Sequence, residues 1–442
     1  MKRGRGKSFL LALALLALLL ALVIFSYKLT EPTPIDSHTE FAYVPNAKSH
    51  NVSVINTTTN QIEYNVPVGN DTEGVAVNWN GTKVYLTNGI LNIVSVIDTA
   101  TNKVIATIPV GVNPMGVAVT PDGKKVFVAN YYSNNVSVID TETNRVKTWV
   151  NVQTNPLGVA VNWNGTKVYV ANYNSGTVSE IDTATYTVRP IPVGFNPYGV
   201  AVNPNGTKLY VTHDNSNIVS VIDTATYNVI PIVKKDIDET IEKVQLSPHG
   251  VVVNPNGTKV YVANRRVPIK GTSTTLPGSV SVIDTATNSV TATVNLEEKC
   301  PTGVSINKDG TKLYVANACS NTVSVIDTAT NSVTATVPVG NKPYALGQFI
   351  VSPPKVPAHK IIPDSIDHVI KIITQNEVYI KINEVINGVE GFVLGIFVSV
   401  FTSHIKLIFE KTSKPILDIF DKTLELIYKK ISELRFRKKY KK

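Results

Sequence analysis

The chain has 442 residues, 42 basic and 33 acidic side chains, a formal net charge of +9 and two cysteines. Four basic side chains open it (Lys2, Arg3, Arg5, Lys7), and residues 411–442 hold 11 basic against 4 acidic groups, which leaves −2 for everything between. A nucleic-acid-binding body is therefore excluded, because the base-rich ends lie beside apolar segments and read as topology signals. One compact core is excluded as well, since a chain this long must divide or repeat.

Residues 1–28 are a membrane segment. MKRGRGK precedes residues 9–25, seventeen positions without a polar side chain. Such a stretch is a signal peptide or an uncleaved signal anchor, and the lack of an A-x-A cleavage site after it favours the anchor. Either reading puts the succeeding repeats outside the membrane and the basic start inside. Residues 29–40 are a linker.

From residue 41 one phrase repeats seven times. The Asn that closes YVxN stands at Asn46, Asn88, Asn130, Asn172, Asn264 and Asn317, with His213 in the fifth copy. The turn residue after VSVI is Asn56, Asp98, Asp140, Asp182, Asp223, Asp284 and Asp327; the Gly of GVAV is Gly74, Gly116, Gly158, Gly199, Gly250 and Gly303, then Ala345. Three markers in step at about 42 residues establish a repeat architecture. Each unit holds four short runs rich in Val, Ile, Thr and aromatics, for example 117–119, 125–128, 136–139 and 145–149. NGT or DGK between the first two predicts a type I′ hairpin. DTATN between the last two predicts a turn held by Asp and Thr side chains, with a left-handed Asn. The Gly before each first run predicts strands crowded about a shared axis.

Four antiparallel strands per unit of this size make an all-β, seven-bladed β-propeller of four-stranded antiparallel blades over 41–351. The chain enters on a second strand at Phe41, so 343–350 should supply the missing first strand and close the ring without a free edge.

These phrases, YVAN or YVTH, then VSVIDTATN, IPVG and NPxGVAV, resemble the YVTN-type β-propeller repeats of archaeal surface-layer and other cell-surface proteins. The resemblance covers residues 41–350. It implies an extracellular propeller and does not imply one reaction.

Within the repeats, sequons stand at Asn51, Asn56, Asn70, Asn80, Asn135, Asn164, Asn205 and Asn256, candidates for glycosylation, although four of them are also NGT hairpin turns. Cys300 precedes a first strand and Cys319 comes after the second strand of the same blade. Antiparallel register puts Cys300 opposite about Asn317, so a disulfide is expected and a zinc site is not. Two insertions of ten residues, at 234–247 and 265–279, flank one blade on the face opposite the hairpins. They mark a candidate binding face with Arg265, Arg266, Lys270, Asp236 and Asp238. The residue before each axial Gly forms a candidate ring: Glu73, Met115, Leu157, Tyr198, His249, Thr302 and Tyr344. Its polar members (Glu73, Tyr198, His249, Thr302, Tyr344) could take a cation or a small polar ligand. His213 reads as drift from Asn. No catalytic triad, phosphate loop or nucleophile elbow is legible, and no cofactor is expected.

Residues 352–363 form a Pro-rich linker. Residues 364–442 read as a helical region: Asp364 or Ser365 caps a helix, and Ile382, Val385, Val389, Phe392, Ile396 and Val400 recur at helical spacing. The uncharged stretch 391–403 is thirteen residues, short for a full span, so it is an interfacial or packed helix or a second membrane helix. Leu417, Phe420, Leu424, Ile427, Ile431 and Leu434 form a heptad seam suited to self-association over 417–434. The chain ends in a polybasic tail with aromatics, which suits anionic headgroups. The leading reading is a membrane-attached cell-surface propeller that acts as an extracellular protein or glycan interaction module or a structural, surface-layer-like one. The alternative is a lactonase- or lyase-like propeller enzyme working at the axial mouth.

Overall fold

The computed structural model describes residues 40–351, apart from 70, 234–246, 266–276 and 298–299. The chain divides into units 1–355 and 356–442, and all described residues lie in the first. The expected N-terminal membrane helix and the C-terminal helices lie outside them. Among the described residues no helix is long and apolar enough to cross a membrane.

Each repeat of apolar runs and turn residues produces one sheet, and seven four-stranded antiparallel sheets are formed by the described residues. In the second blade the strands are Pro114–Val119, Lys125–Asn130, Asn135–Asp140 and Arg145–Asn151, ordered from axis to rim. The second and third strands are buried almost throughout, whereas the fourth alternates between exposed and covered. The core lies between blades: Phe127, Val136 and Val138 of one pack with Val159, Val168, Val170 and Ile181 of the next. That is why the strands are apolar on both faces. The aromatic of each KVYV phrase fills this layer, with Tyr85, Phe127, Tyr210, Tyr261 and Tyr314 fully buried.

The NGT turns differ from the type I′ hairpins expected. Gly81 N donates to Asn78 O at 2.9 Å, Asn78 N donates to Lys83 O at 3.1 Å, and Gly81 (φ 69°) alone in this loop enters the left-handed region. The loop is therefore four residues built on a type I turn. Side chains widen it: Asn78 Oδ1 accepts from Lys83 N at 2.8 Å, and Asn80 Oδ1 from the Thr82 hydroxyl at 2.7 Å. The DTATN turns match expectation. Asp98 Oδ1 accepts from the amide and hydroxyl of Thr101 at 2.9 and 2.7 Å, and Asn102 has φ 51°.

At the axis each inner strand abuts its neighbour's backbone. A Cβ on Gly116 would stand 2.2 Å from Leu157 O, and one on Gly303 only 2.0 Å from Ala345 O. The ring closes where expected, with one irregularity. Phe41 pairs with Val351, Ala42 with Ile350 and Asn46 with Pro343. Between these pairs the late segment leaves the register, and Leu346 bonds Glu73 O and Val75 N of the first blade, each at 3.0 Å. It thus stitches its own blade and the next.

Candidate functional site

Strand polarity divides the loops between two faces. The NGT and DTATN turns meet on one, as when Thr99 donates to Gly81 O at 2.6 Å. Both ends of the ring are on this face too. Glu40 accepts from Lys308 N, in the NKDG turn, at 3.2 Å, and Val351 pairs beside it with Phe41. The opposite face carries the second-to-third-strand loops, the links between blades and the axial mouth. Exposed apolar side chains gather there over the first four blades: Leu91, Val112, Tyr132 (67% exposed) and Phe195 (91%).

At the mouth, the positions before the axial glycines do converge. Tyr198 stacks on His249 with ring centroids 4.1 Å apart and planes 21° from parallel. The Tyr198 and Tyr344 hydroxyls hydrogen-bond each other. Leu157, Tyr198, Tyr344 and Leu346 form an apolar cluster with Met115, Tyr131 and Tyr173 against it. The Thr302 hydroxyl bonds Ala316 O and Pro343 O at 3.2 and 3.3 Å.

The centre of the cluster is a residue outside the expected ring. Asp214 receives His249 Nε2 at 3.2 Å, the Tyr173 hydroxyl at 2.9 Å and the Ser247 hydroxyl. Burial acts to raise its pKa, but the bonds from His249 and Ser247 prevail and hold the carboxyl well below the usual range. Burial lowers the His249 pKa against the opposing pull of Asp214. The ring is then neutral, its Nε2–H donates to Asp214, and the buried Nδ1 is left as an acceptor with no hydrogen-bond partner among the described residues. Desolvation raises the Glu73 carboxyl to about 7, helped by Asp71 and opposed by Lys342. Desolvation also pushes the Tyr198 and Tyr344 phenols up, so both stay protonated. A legible signal for Asp214 existed: it occupies the repeat position after each marker Asn, and three other copies of that position, Ala47, Tyr131 and Tyr173, belong to the cluster at the mouth.

The mouth therefore offers neutral donors and acceptors around one carboxylate, behind stacked rings. Among the described residues no three His, Cys, Asp or Glu side chains come together as a metal site. Beneath the rings the channel, lined by Gly116, Gly158, Gly199 and Gly250, holds about 30 Å³, room for one or two waters.

Cys300 and Cys319 form a disulfide, Cα atoms 5.1 Å apart. The register is one step from that expected: Pro301 faces Asn317, and Ala318 N bonds Cys300 O at 2.8 Å, because a bulge comes after Pro301. Arg265 ends the strand Lys259–Arg265, exposed, whereas Arg266, Lys270, Asp236, Asp238 and Asn70 lie outside the described residues. Asn80, Asn164, Asn205 and Asn256 sit at exposed turn tips; Asn51 and Asn135 lie on strand starts, and Asn56 is buried with its side chain bonded to Thr58 N and Glu63. His213 keeps the role of the Asn it replaces: Nε2 meets Ser220 Oγ at 2.8 Å, as Asn130 meets Ser137 at 2.8 Å.

Against known proteins, residues 31–237 match the family model of the choice-of-anchor I domain, and residues 183–341 match that of the seven-bladed β-propeller lactonases. None of the curated proteins matches the chain. Among solved structures, hydrazine synthase of Kuenenia stuttgartiensis is similar with a TM-score of 0.56 and 24% identity, over 62% of this chain and 88% of that one. A functionally unknown protein from Desulfotomaculum acetoxidans DSM 771 is similar with a TM-score of 0.56 and 17% identity, over 69% and 99%. At these identities both speak for the fold alone.

Proposed function

We propose that this chain is a membrane-attached cell-surface propeller whose ring is a binding module. The turn face, where both chain ends leave, is turned to the membrane, and the opposite face is offered to proteins or glycans outside. The observation that carries this reading is the division of the two faces: one takes both chain ends, while the other exposes Leu91, Val112, Tyr132 and Phe195. An exposed apolar set of this kind costs solubility and is the usual mark of an interaction surface. Both ten-residue insertions interrupt connections of that same face. The similarity to a choice-of-anchor domain and the disulfide support a location outside the cytoplasm. Crosslinking on intact cells tests it. Wild-type protein should capture a defined surface partner, and Tyr132→Ser with Phe195→Ser should lose it at unchanged abundance. Equal capture by both would remove the face from the function.

A second reading has its own observation. The unpartnered Nδ1 of His249 beside Asp214, within the span similar to lactonases, suits a small polar ligand at the mouth. It predicts turnover of a lactone that His249→Gln abolishes, and wild-type protein inert toward a lactone panel counts against it.

A further inference from the structure

The turn face carries two tryptophans that folding does not explain. The second residue of each NGT-type turn is Trp79, Pro121, Trp163, Pro204, Pro255 or Lys308. Proline suits this position of a type I turn, because its fixed φ is already the one required. Most of these side chains also lean on the turn of the next blade: Pro121 lies against Gly165, Pro204 against Gly257 and Pro255 against Gly310, and Trp163 lies loosely on Gly206. Trp79 has no such seat, since nothing stands within 4 Å of a Cβ placed on Gly123, its counterpart in the next blade. Trp79 is 83% exposed and Trp163 64%. Two large indoles thus stand out from the face on which Glu40 and Val351 leave the ring.

We infer that this face rests on the bilayer, with Trp79 and Trp163 inserted at the headgroup–acyl boundary. The inference rests on the proposed membrane attachment and adds how the ring is held. An indole prefers that boundary, where its apolar body and its N–H are both accommodated. Fourteen residues, 26–39, separate the apolar stretch 9–25 from Glu40. Even fully extended they reach only about 50 Å, so this face is tethered near the lipid surface. Its charges are mixed, with Lys124 and Lys308 beside Asp122, Asp309 and Glu142, so contact depends on the indoles and not on anionic lipid.

The chain has three tryptophans, and the third is a control. Trp149 lies on the rim strand Arg145–Asn151, toward the end away from the turn face. Full-length Trp149→Phe protein reconstituted in phosphatidylcholine vesicles should lose most of its indole emission when the lipid carries brominated acyl chains, in low and high salt alike. Full-length protein with Trp79→Pro and Trp163→Pro, the residue other copies of the turn already use, should float with the vesicles while its remaining Trp149 emission is unquenched. Protein that floats while Trp79 and Trp163 stay unquenched overturns this inference and leaves the attachment standing. Quenching that vanishes in high salt overturns it equally, and protein that does not float removes both.

Discussion

Glu73 is a carboxylate that its surroundings push up toward neutral pH. Its carboxyl rises from 4.5 to about 7, first through lost hydration and then through Asp71. Between those values the folded chain binds a proton that the unfolded chain releases. The stability this contributes is full below 4.5 and is lost as the pH rises through about 7. Unfolding free energies from urea titrations across that window should therefore fall in wild type relative to Glu73→Gln, by on the order of 1–2 kcal/mol given the partial exposure of the side chain. Parallel slopes would mean that Glu73 is hydrated in the folded state. A second local departure pairs two residues that each break the repeat. Glu180 stands where the other copies have Val, buried, with Lys167 Nζ at 3.3 Å. Tyr227 stands where most copies have Asn, in a left-handed conformation (φ 60°), and its hydroxyl donates to Glu180 at 3.2 Å. The aromatic thus takes a backbone posture that suits Asn better and supplies the buried carboxylate with a donor. Tyr227→Phe should cost about 1–2 kcal/mol with Glu180 present and little once Glu180→Val is made. Additive effects in a thermal double-mutant cycle would separate the two substitutions.

Elements were legible because their signals are local. Val-rich runs, NG turns and DTATN phrases each act within a few residues, so seven copies of four strands could be counted from the sequence. The type of the NG turn was not legible, because Asn78 and Asn80 decide it through side-chain bonds to Lys83 and Thr82 that a dipeptide rule ignores. Tyr198 and His249 were found at the axial mouth since they share a repeat position, whereas Asp214 was overlooked because its role depends on partners 33 to 41 residues away, Ser247, His249 and Tyr173. The disulfide was reachable from hairpin register, within one step. It closes a span of 19 residues across the first two strands of the sixth blade. Loop-closure entropy for such a span is about 3 kcal/mol, and less is expected here because the strand pairs already hold the two ends together. Cys300→Ser with Cys319→Ser should lower stability by roughly 2 kcal/mol and abolish any response of the melting temperature to reductant. An unchanged midpoint would make the bridge dispensable to the fold.

For the whole ring the decisive contact is the one farthest apart in sequence. Blades pack only on their neighbours, so six interfaces form between segments adjacent in the chain, whereas the last blade is itself completed only when residue 351 pairs with residue 41. Phe349, fully buried, packs in a cluster with Phe41, Tyr43 and Val44, and its carbonyl accepts from Tyr43 N at 2.8 Å. Leu346 meanwhile bonds the first blade, so a short segment holds three strands' worth of neighbours in place. Without it, the strand Phe41–Asn46 becomes an open edge and the apolar faces on either side of the seam meet water. Phe349→Ala should then cost about 3–5 kcal/mol, near the upper range for a single core truncation, because the seam has no other covalent or sequence-local support. Removal of 343–351 from a chain spanning 40–351 should do more: it should convert one sharp thermal transition into a broad one and raise protease cleavage in the first and last blades before the middle ones. A shortened chain that still melted sharply at the original temperature would show that six blades close without the seventh's inner strand, and closure would then cease to be the source of the ring's cooperativity.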